Sequence, residues 1–196
     1  MDSDFAEKLR VAMGGDHGGI VIPAEGAACP RNFKGTIQEA FNKYIADYAG
    51  KDFVDPRGMA VTLNEDNFPK LLKLRYRPRP NGPCQRARAK AVLQPLKDGT
   101  FDESKHYSEQ PVRLRTLFWI EEIICRPDGI YPNCAKLVEG EEVYFKRYRR
   151  DGPSDTKLVF TAIGHAGQRI VITSFLDSAH SLANYCDLPA LWSPEK

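Results

Sequence analysis

Residues 120–130 read Ile-Glu-Glu-Ile-Ile-Cys-Arg-Pro-Asp-Gly-Ile, an apolar stretch that ends in a Pro-Asp-Gly turn. Three apolar runs follow it, at 141–149, 156–164 and 168–175, and residues 135–138 are a candidate fourth. Short runs rich in β-branched and aromatic residues, separated by Gly- and Pro-containing turns, predict β-strands. The order therefore predicts a helix packed on an antiparallel sheet of about four strands.

The helix before this turn is predicted to run from Val112 to Arg126, because apolar residues occupy most of its circumference. We expect it to be the central helix of the fold, buried by the sheet. Its charges run against the helix dipole, with arginine near the start and glutamate near the end: Arg113, Arg115, Glu121 and Glu122. Such arginines either face a bound anion or are solvated surface charge, and both interpretations stay open.

The rest of the chain completes an α+β fold class. Residues 1–50 are predicted to be a helical N-terminal extension, with its best helix from Thr36 to Tyr48. Residues 51–196 are predicted to be one domain, which begins with a strand near 59–63 and a short helix near 65–75. A connector rich in Pro and Arg interrupts this domain at 76–111.

The composition is that of a folded globular protein, with 28% charged and 42% hydrophobic residues among 196. A formal charge of +2 is too small to predict nucleic-acid binding by itself, since the clustering of charge matters more than its sum. Two basic clusters are present: Arg75, Arg77, Arg79, Arg86, Arg88 and Lys90 in one, and Lys146, Arg147, Arg149 and Arg150 in the other.

The five cysteines show no metal-binding spacing, and the four histidines have no mutual spacing that indicates a metal site. We therefore expect no metal and no cofactor. No apolar stretch approaches the roughly 18 residues of a membrane span, and the N-terminus lacks the pattern of a secretion signal. The expectation is a cytoplasmic protein with reduced thiols and no membrane partner.

The strand at 143–150 carries the clearest functional pattern. Alternation places Tyr144, Lys146, Tyr148 and Arg150 on one face of the strand. A face that alternates aromatic and basic side chains can stack bases and neutralise phosphates. The alternative is a solvated sheet face on which the tyrosines only fill space. On the last strand, Thr173 and Ser174 either donate to a phosphate oxygen or mark where the strand leaves the core.

Three blocks of this sequence resemble the phage-associated nucleases of the barnase/EndoU/colicin/RelE-like class. The first block is residues 60–71, similar to the family's strand and following helix. The second is residues 120–130, similar to its helix that ends in Pro-Asp-x-Ile. The third joins residues 144–148, 158–160 and 171–175, which resemble its Tyr-x-Lys strand and its terminal Val-x-Thr strand.

The resemblance implies a toxin-like, phage-derived, metal-independent endoribonuclease that attacks the phosphodiester with the ribose 2′-hydroxyl. RNA is the implied substrate, and a cognate inhibitor protein is an implied partner. The implied catalytic residues are Lys146, Tyr148, Thr173 and Ser174, and the implied RNA- or phosphate-binding residues are Lys70, Arg75, Tyr144 and Arg113.

This sequence departs from the family pattern where the first helix often carries histidines. Lys70 and Arg75 stand there instead, and neither is a good proton shuttle near neutral pH. Two other functions therefore remain open: a non-catalytic RNA-binding or virion-associated module, and a structural or protein-interaction domain.

Overall fold

One mixed sheet organises the fold in the computed structural model, which describes residues 25–76, 89–133, 141–149, 155–164, 167–178, 185 and 190–194. Within these residues six strands pair in the order β1-β2-β8-β7-β6-β5, and β3 and β4 form a separate antiparallel pair. The strands are β1 (Asp52–Val54), β2 (Ala60–Thr62), β3 (Leu74–Tyr76), β4 (His106–Ser108), β5 (Gly129–Pro132), β6 (Glu142–Arg147), β7 (Thr156–Ile163) and β8 (Arg169–Asp177).

The α+β class is confirmed, but the sheet is larger than predicted and it is not purely antiparallel. β2 pairs with β8 in parallel, with Val61 opposite Arg169. The hairpin of β1 and β2 thereby joins the edge of the β5–β8 meander. Because this pairing links residues more than a hundred positions apart, no local pattern predicts it. The candidate fourth strand at 135–138 lies outside the described residues.

The described helices are α1 (Ile37–Asp47), α2 (Phe68–Leu71), α3 (Ala89–Lys97), α4 (Pro111–Arg115) and α5 (Ile120–Cys125), with 3-10 turns at Glu65–Asn67 and Leu117–Trp119. The helices predicted at 65–75 and 112–126 are shorter than expected, and α3 was not predicted. The predicted helix at 65–75 ends early because Lys73 takes a left-handed conformation, with φ of 48°, from which the chain enters β3. The predicted connector at 76–111 contains α3 and β4, and residues 77–88 lie outside the described part.

The predicted single helix at 112–126 is wrong, because it is broken at Thr116. The Thr116 hydroxyl donates to the Val112 carbonyl at 2.9 Å and accepts from the Lys157 ammonium at 3.1 Å. A hydroxyl bonded to the preceding turn competes with the helical pattern. After the break α5 begins at Ile120, so Glu121 and Glu122 lie in a first turn, where the helix dipole favours acidic residues.

Helix α1 forms as the sequence predicted, and its cap explains its start. The Thr36 hydroxyl accepts from the Glu39 amide, while the Glu39 carboxylate accepts from the Thr36 amide at 2.8 Å. This capping box satisfies two amide groups that the first turn leaves unpaired. The buried face of α1 shares one apolar core with α5 and the sheet, so the predicted boundary at residue 50 does not coincide with a break in that core. Residues 1–24 of the predicted extension lie outside the described part.

The sheet is covered on both faces. Tyr144, Tyr148 and Val159 belong to the core beneath the helices. On the opposite face a second core is formed by Tyr131, Val143, Phe145, Leu158 and Phe160. The C-terminal residues contact both cores. The Tyr185 ring packs 5.1 Å from that of Phe160 in the second core, while Trp192 packs against the first core and bridges to Ile130 on the edge strand β5. Among the described residues no helix is long and apolar enough to cross a membrane.

Replacing Gly129 with alanine is expected to destabilise the protein by about 1–3 kcal/mol, as overpacking of a filled core does. A Cβ at this position would lie 2.5 Å from Cε1 of Phe145 and 2.9 Å from Cε2 of Tyr131, and both rings are buried. Urea denaturation of the variant measures the loss. Gly164→Ala is the control, since its Cβ would lie no closer than 3.3 Å to Cδ1 of Ile170 and 3.4 Å to the Gln168 carbonyl oxygen. Equal stabilities of the two variants would contradict the clash.

Candidate functional site

The predicted basic and aromatic face of β6 is not a surface. Lys146 is 8% exposed, and Tyr144 and Tyr148 are 0% and 1% exposed. The alternation correctly grouped these side chains on one face, but that face is the one that the helices cover. Arg150 lies outside the described residues. The expectation that these side chains stack bases from solvent is therefore wrong.

Lys146 is held by neighbouring groups of the protein. Its ammonium donates to the Arg126 carbonyl at 2.7 Å and lies 3.6 Å from a carboxylate oxygen of Asp128. These bonds tie β6 to the turn that follows α5. These contacts indicate a structural role, in which Lys146 holds the Pro-Asp-Gly turn against the sheet.

Tyr144 lies in an ionic network that the sequence did not reveal. Its hydroxyl is 2.9 Å from Asp55 and 3.2 Å from Glu142, and Arg57 donates to it at 2.9 Å. Arg57 and Arg169 both donate to the Glu142 carboxylate. Burial raises the pKa of Glu142, but the hydrogen bonds from the two arginines outweigh it and hold the pKa below its usual value. Two carboxylates and two guanidinium groups balance in charge, which indicates a structural role.

Tyr148 and Ser174 are also interior groups. The Tyr148 ring packs 4.8 Å from that of Trp119, and its hydroxyl makes no hydrogen bond within the described part of the chain. Burial raises the pKa of Tyr148 far above its usual value, so it is a poor proton donor near neutral pH. Ser174 donates to the Leu158 carbonyl at 2.9 Å across the β7–β8 pair. Neither can contact RNA without local opening.

The other predicted residues gather around one carboxylate. Arg75 on β3 donates to the Glu109 carboxylate twice, at 3.0 Å and 2.9 Å. The hydrogen bond from Arg75 lowers the pKa of Glu109, and the charges of Arg75, Lys73 and Arg113 lower it further. We call Lys73, Arg75, Glu109 and Arg113 the basic cluster. It holds three cations around one carboxylate.

Arg113 connects this cluster to the sheet. The side chain is 3% exposed, its Nε donates to Gln110, and its Nη1 donates to the Leu71 carbonyl at 3.2 Å and to the Thr173 hydroxyl at 3.3 Å. No carboxylate lies within ion-pair distance of Arg113 among the described residues. Burial lowers the pKa of Arg113 to about 10. The structure thus brings Arg75, Arg113 and Thr173 together.

Lys70 lies at the edge of this region. It is exposed on α2, one residue before the carbonyl that Arg113 contacts. It is therefore available to a ligand from solvent. Glu109 and Lys73 were missed by sequence reasoning, because the pairing of β3 with β4 that brings Glu109 to Arg75 lies across the connector.

Lys157 is a second buried cation that the sequence analysis missed. It is 1% exposed and donates to the Thr116 hydroxyl at 3.1 Å. Burial lowers its pKa to about 7, and the charge of Arg113 contributes to the shift. Lys157 shares a strand face with Val159 and lies opposite Lys146 on the neighbouring strand. A lysine on an apolar face was the signal that could have found it.

A cavity of about 490 Å³ opens beside β4. The residues that line it include Lys34, Glu39, Glu103 and His106, and Leu114 contributes an apolar surface. The imidazole of His106 stacks on the Phe101 ring at 4.7 Å, and its Nδ1 lies 3.0 Å from the Asp102 carbonyl. A carbonyl oxygen only accepts, so Nδ1 carries a proton.

No family model, no curated protein and no solved structure matches this chain. In the part of the chain that the structure describes, no three His, Cys, Asp or Glu side chains are grouped as a metal site requires. The chemistry of the basic cluster and of the adjoining cavity is therefore the ground for a functional proposal.

Proposed function

We propose that this protein is a metal-independent endoribonuclease whose phosphate site is the basic cluster and not the face of β6. The observation that carries the proposal is Glu109, a partly exposed carboxylate surrounded by the charges of Lys73, Arg75 and Arg113. The resemblance of the three sequence blocks to the barnase/EndoU/colicin/RelE-like nucleases supports the same reaction class.

The proposed reaction needs a base and a cationic environment. Glu109 accepts the proton of the ribose 2′-hydroxyl through its Oε1 oxygen, since both hydrogen bonds from Arg75 end on Oε2. The 2′-oxygen forms a bond to phosphorus, the bond from phosphorus to the 5′-oxygen breaks, and the leaving oxygen takes a proton from water. Arg75 stabilises the negative charge on the pentavalent phosphorus by direct contact, and the buried charge of Arg113 acts on the same site through space, as it does on Glu109. Lys70, exposed nearby, holds a flanking phosphate.

Thr173 positions Arg113 in this scheme. The Nη1 donor of Arg113 is shared between Thr173 and the Leu71 carbonyl, which orients the guanidinium group. Neither partner neutralises its charge. The charge of Arg113 is therefore not cancelled, and it favours an anion at the neighbouring exposed part of the basic cluster although the side chain itself is buried.

Replacing Glu109 with glutamine is expected to slow RNA cleavage at least 100-fold, the usual scale for losing a general base. The assay incubates total RNA and tRNA with purified protein in a chelator and resolves the products on a denaturing gel. Asp47→Asn is the matched control, because Asp47 is also an exposed carboxylate in an ion pair. Intact RNA with the wild type would refute the enzyme.

The second candidate is a non-catalytic RNA-binding module. The burial of Lys146 and Tyr148 favours it, because these two residues, which the resemblance implies as catalytic, cannot reach a substrate. This candidate predicts binding without cleavage. An Arg75→Ala variant would then bind RNA more weakly with a smaller dependence on salt, because one phosphate contact is lost. Undetectable binding of the wild type even at low salt would leave a structural or protein-interaction domain.

A further inference from the structure

The cavity beside β4 has an acceptor-rich wall. Glu39 uses one carboxylate oxygen to accept from Thr36, and Glu103 uses one to accept from the Ile37 amide at 2.7 Å. The second oxygen of each makes no hydrogen bond among the residues that the structure describes. Ionised carboxylates accept hydrogen bonds and cannot donate them. The cavity therefore favours a ligand that carries N–H donors.

The remaining walls suit a flat ring. Ile37, Pro111 and Leu114 line the cavity with apolar atoms, against which the face of a base can pack. A volume of about 490 Å³ lies within the range of pockets that hold small organic ligands. A planar heterocycle with an exocyclic amino group meets these conditions.

Strand β4 connects this cavity to the basic cluster. Tyr107 lines the cavity and is the cross-strand partner of Arg75. Glu109, whose carboxylate binds Arg75, follows Tyr107 by two residues, roughly 7 Å along an extended chain. The lining of the cavity carries two carboxylates, Glu39 and Glu103, against one lysine, Lys34, and is therefore negative on balance. It lies beside the positively charged basic cluster, which matches the amino-bearing base and the phosphate of one nucleotide.

We propose that this cavity binds an amino-bearing nucleobase of the RNA, with Glu103 accepting a hydrogen bond from the exocyclic amine. The proposal rests on the proposed ribonuclease function and adds base selectivity to it. Cytosine presents such an amine at its N4 position. Uracil has the same ring but carries a carbonyl oxygen at position 4. That oxygen is an acceptor, so it cannot form a hydrogen bond with the Glu103 carboxylate.

The test measures binding of fluorescent oligo-C and oligo-U to the Glu109→Gln protein, which keeps RNA intact. Oligo-C is expected to bind at least tenfold more tightly, as one hydrogen bond to a charged group provides. Glu103→Gln is expected to abolish this preference, because the amide replaces an acceptor with a donor while its oxygen still caps α1. Leu114→Trp, which fills the cavity, is expected to reduce oligo-C binding to the oligo-U level. Asp47→Asn should leave the preference unchanged.

Equal binding of the two oligonucleotides would overturn the base site and leave the nuclease proposal intact. If neither oligonucleotide binds, the ribonuclease proposal is refuted. Free nucleosides, which lack the phosphates, then test whether the cavity binds a base by itself. In that case cytidine and uridine are titrated while the NMR signals of His106 and Ile37 are followed. Shifts with cytidine only would uphold the base site, and no shift with either nucleoside would overturn it.

Discussion

Replacing Lys157 with methionine is expected to stabilise the protein at pH 7 by about 2–4 kcal/mol, the scale seen when apolar residues replace buried charges. Lys157 is 1% exposed, has no carboxylate partner among the described residues, and lies near the second buried cation, Arg113. Methionine has a similar length and volume. Thr116 keeps its own bond to the Val112 carbonyl, so the substitution leaves no donor unpaired.

The same lysine is expected to make stability depend on pH. Burial lowers the pKa of Lys157 in the folded protein to about 7, whereas in the unfolded chain it keeps its ordinary value of 10.5. Between these values the unfolded state binds more protons, so stability rises with pH by about 1.4 kcal/mol per unit. Below pH 7 Lys157 is protonated in both the folded and the unfolded state, so the free-energy cost of burying its charge is at its largest and no longer changes with pH.

The measurement compares the free energy of unfolding of the wild type and Lys157→Met from pH 6 to 9.5. The advantage of the variant is expected to be flat below pH 7 and to shrink above it. The charged groups near Lys157, which are Arg113 on α4 and Lys146 on β6, are the same in the two proteins, so their own contributions cancel in the comparison. Lys105→Met, at an exposed position, is the control. An advantage that does not change with pH would show that Lys157 is charged throughout.

Replacing Glu142 with glutamine is expected to destabilise the protein by about 3 kcal/mol, because it removes one partner of a buried ion network. Arg57 would keep its ion pair with Asp55, whereas Arg169 would lose the carboxylate that it pairs with in an environment that is largely shielded from solvent. The network joins the β1–β2 turn to β6 and β8. Its loss is expected to weaken the docking of that hairpin most.

Chemical denaturation measures this loss, and a second substitution tests its cause. Arg169→Gln in the Glu142→Gln background is expected to recover part of the stability, since it removes the cation left without a partner. Asp47→Asn, which breaks the exposed pair with Lys43, is expected to have little effect. Independent, additive losses at Glu142 and Arg169 would contradict a coupled network.

Local sequence patterns predicted several elements well. Period-two alternation and turn residues predicted β6, β7 and β8 within about two residues, and Thr36 with the apolar periodicity behind it predicted α1. These features depend on contacts within one strand or one helical turn. A side-chain cap or a Gly-containing turn acts on its immediate neighbours, so its signal is present in a short window of sequence.

The candidate site was predicted only in part for a related reason. Arg75, Arg113 and Thr173 could be named as basic and hydroxyl groups, but Glu109 joins them only because β3 pairs with β4 across the connector. Period two places Tyr144 and Lys146 on one face of β6 but does not say whether that face meets solvent or helices. The bond from Lys157 to Thr116, where the predicted helix is broken, likewise joins residues forty-one positions apart.

The chain's own pattern thus specified the strands, the capped helix and which side chains share a face, because each follows from neighbours in sequence. The burial of the β6 lysine and tyrosines, the parallel β2–β8 pairing and the carboxylate within the basic cluster came from the folded arrangement. Each of these depends on which distant segment packs against which, and that choice minimises exposed apolar area and unpaired charge over the whole molecule.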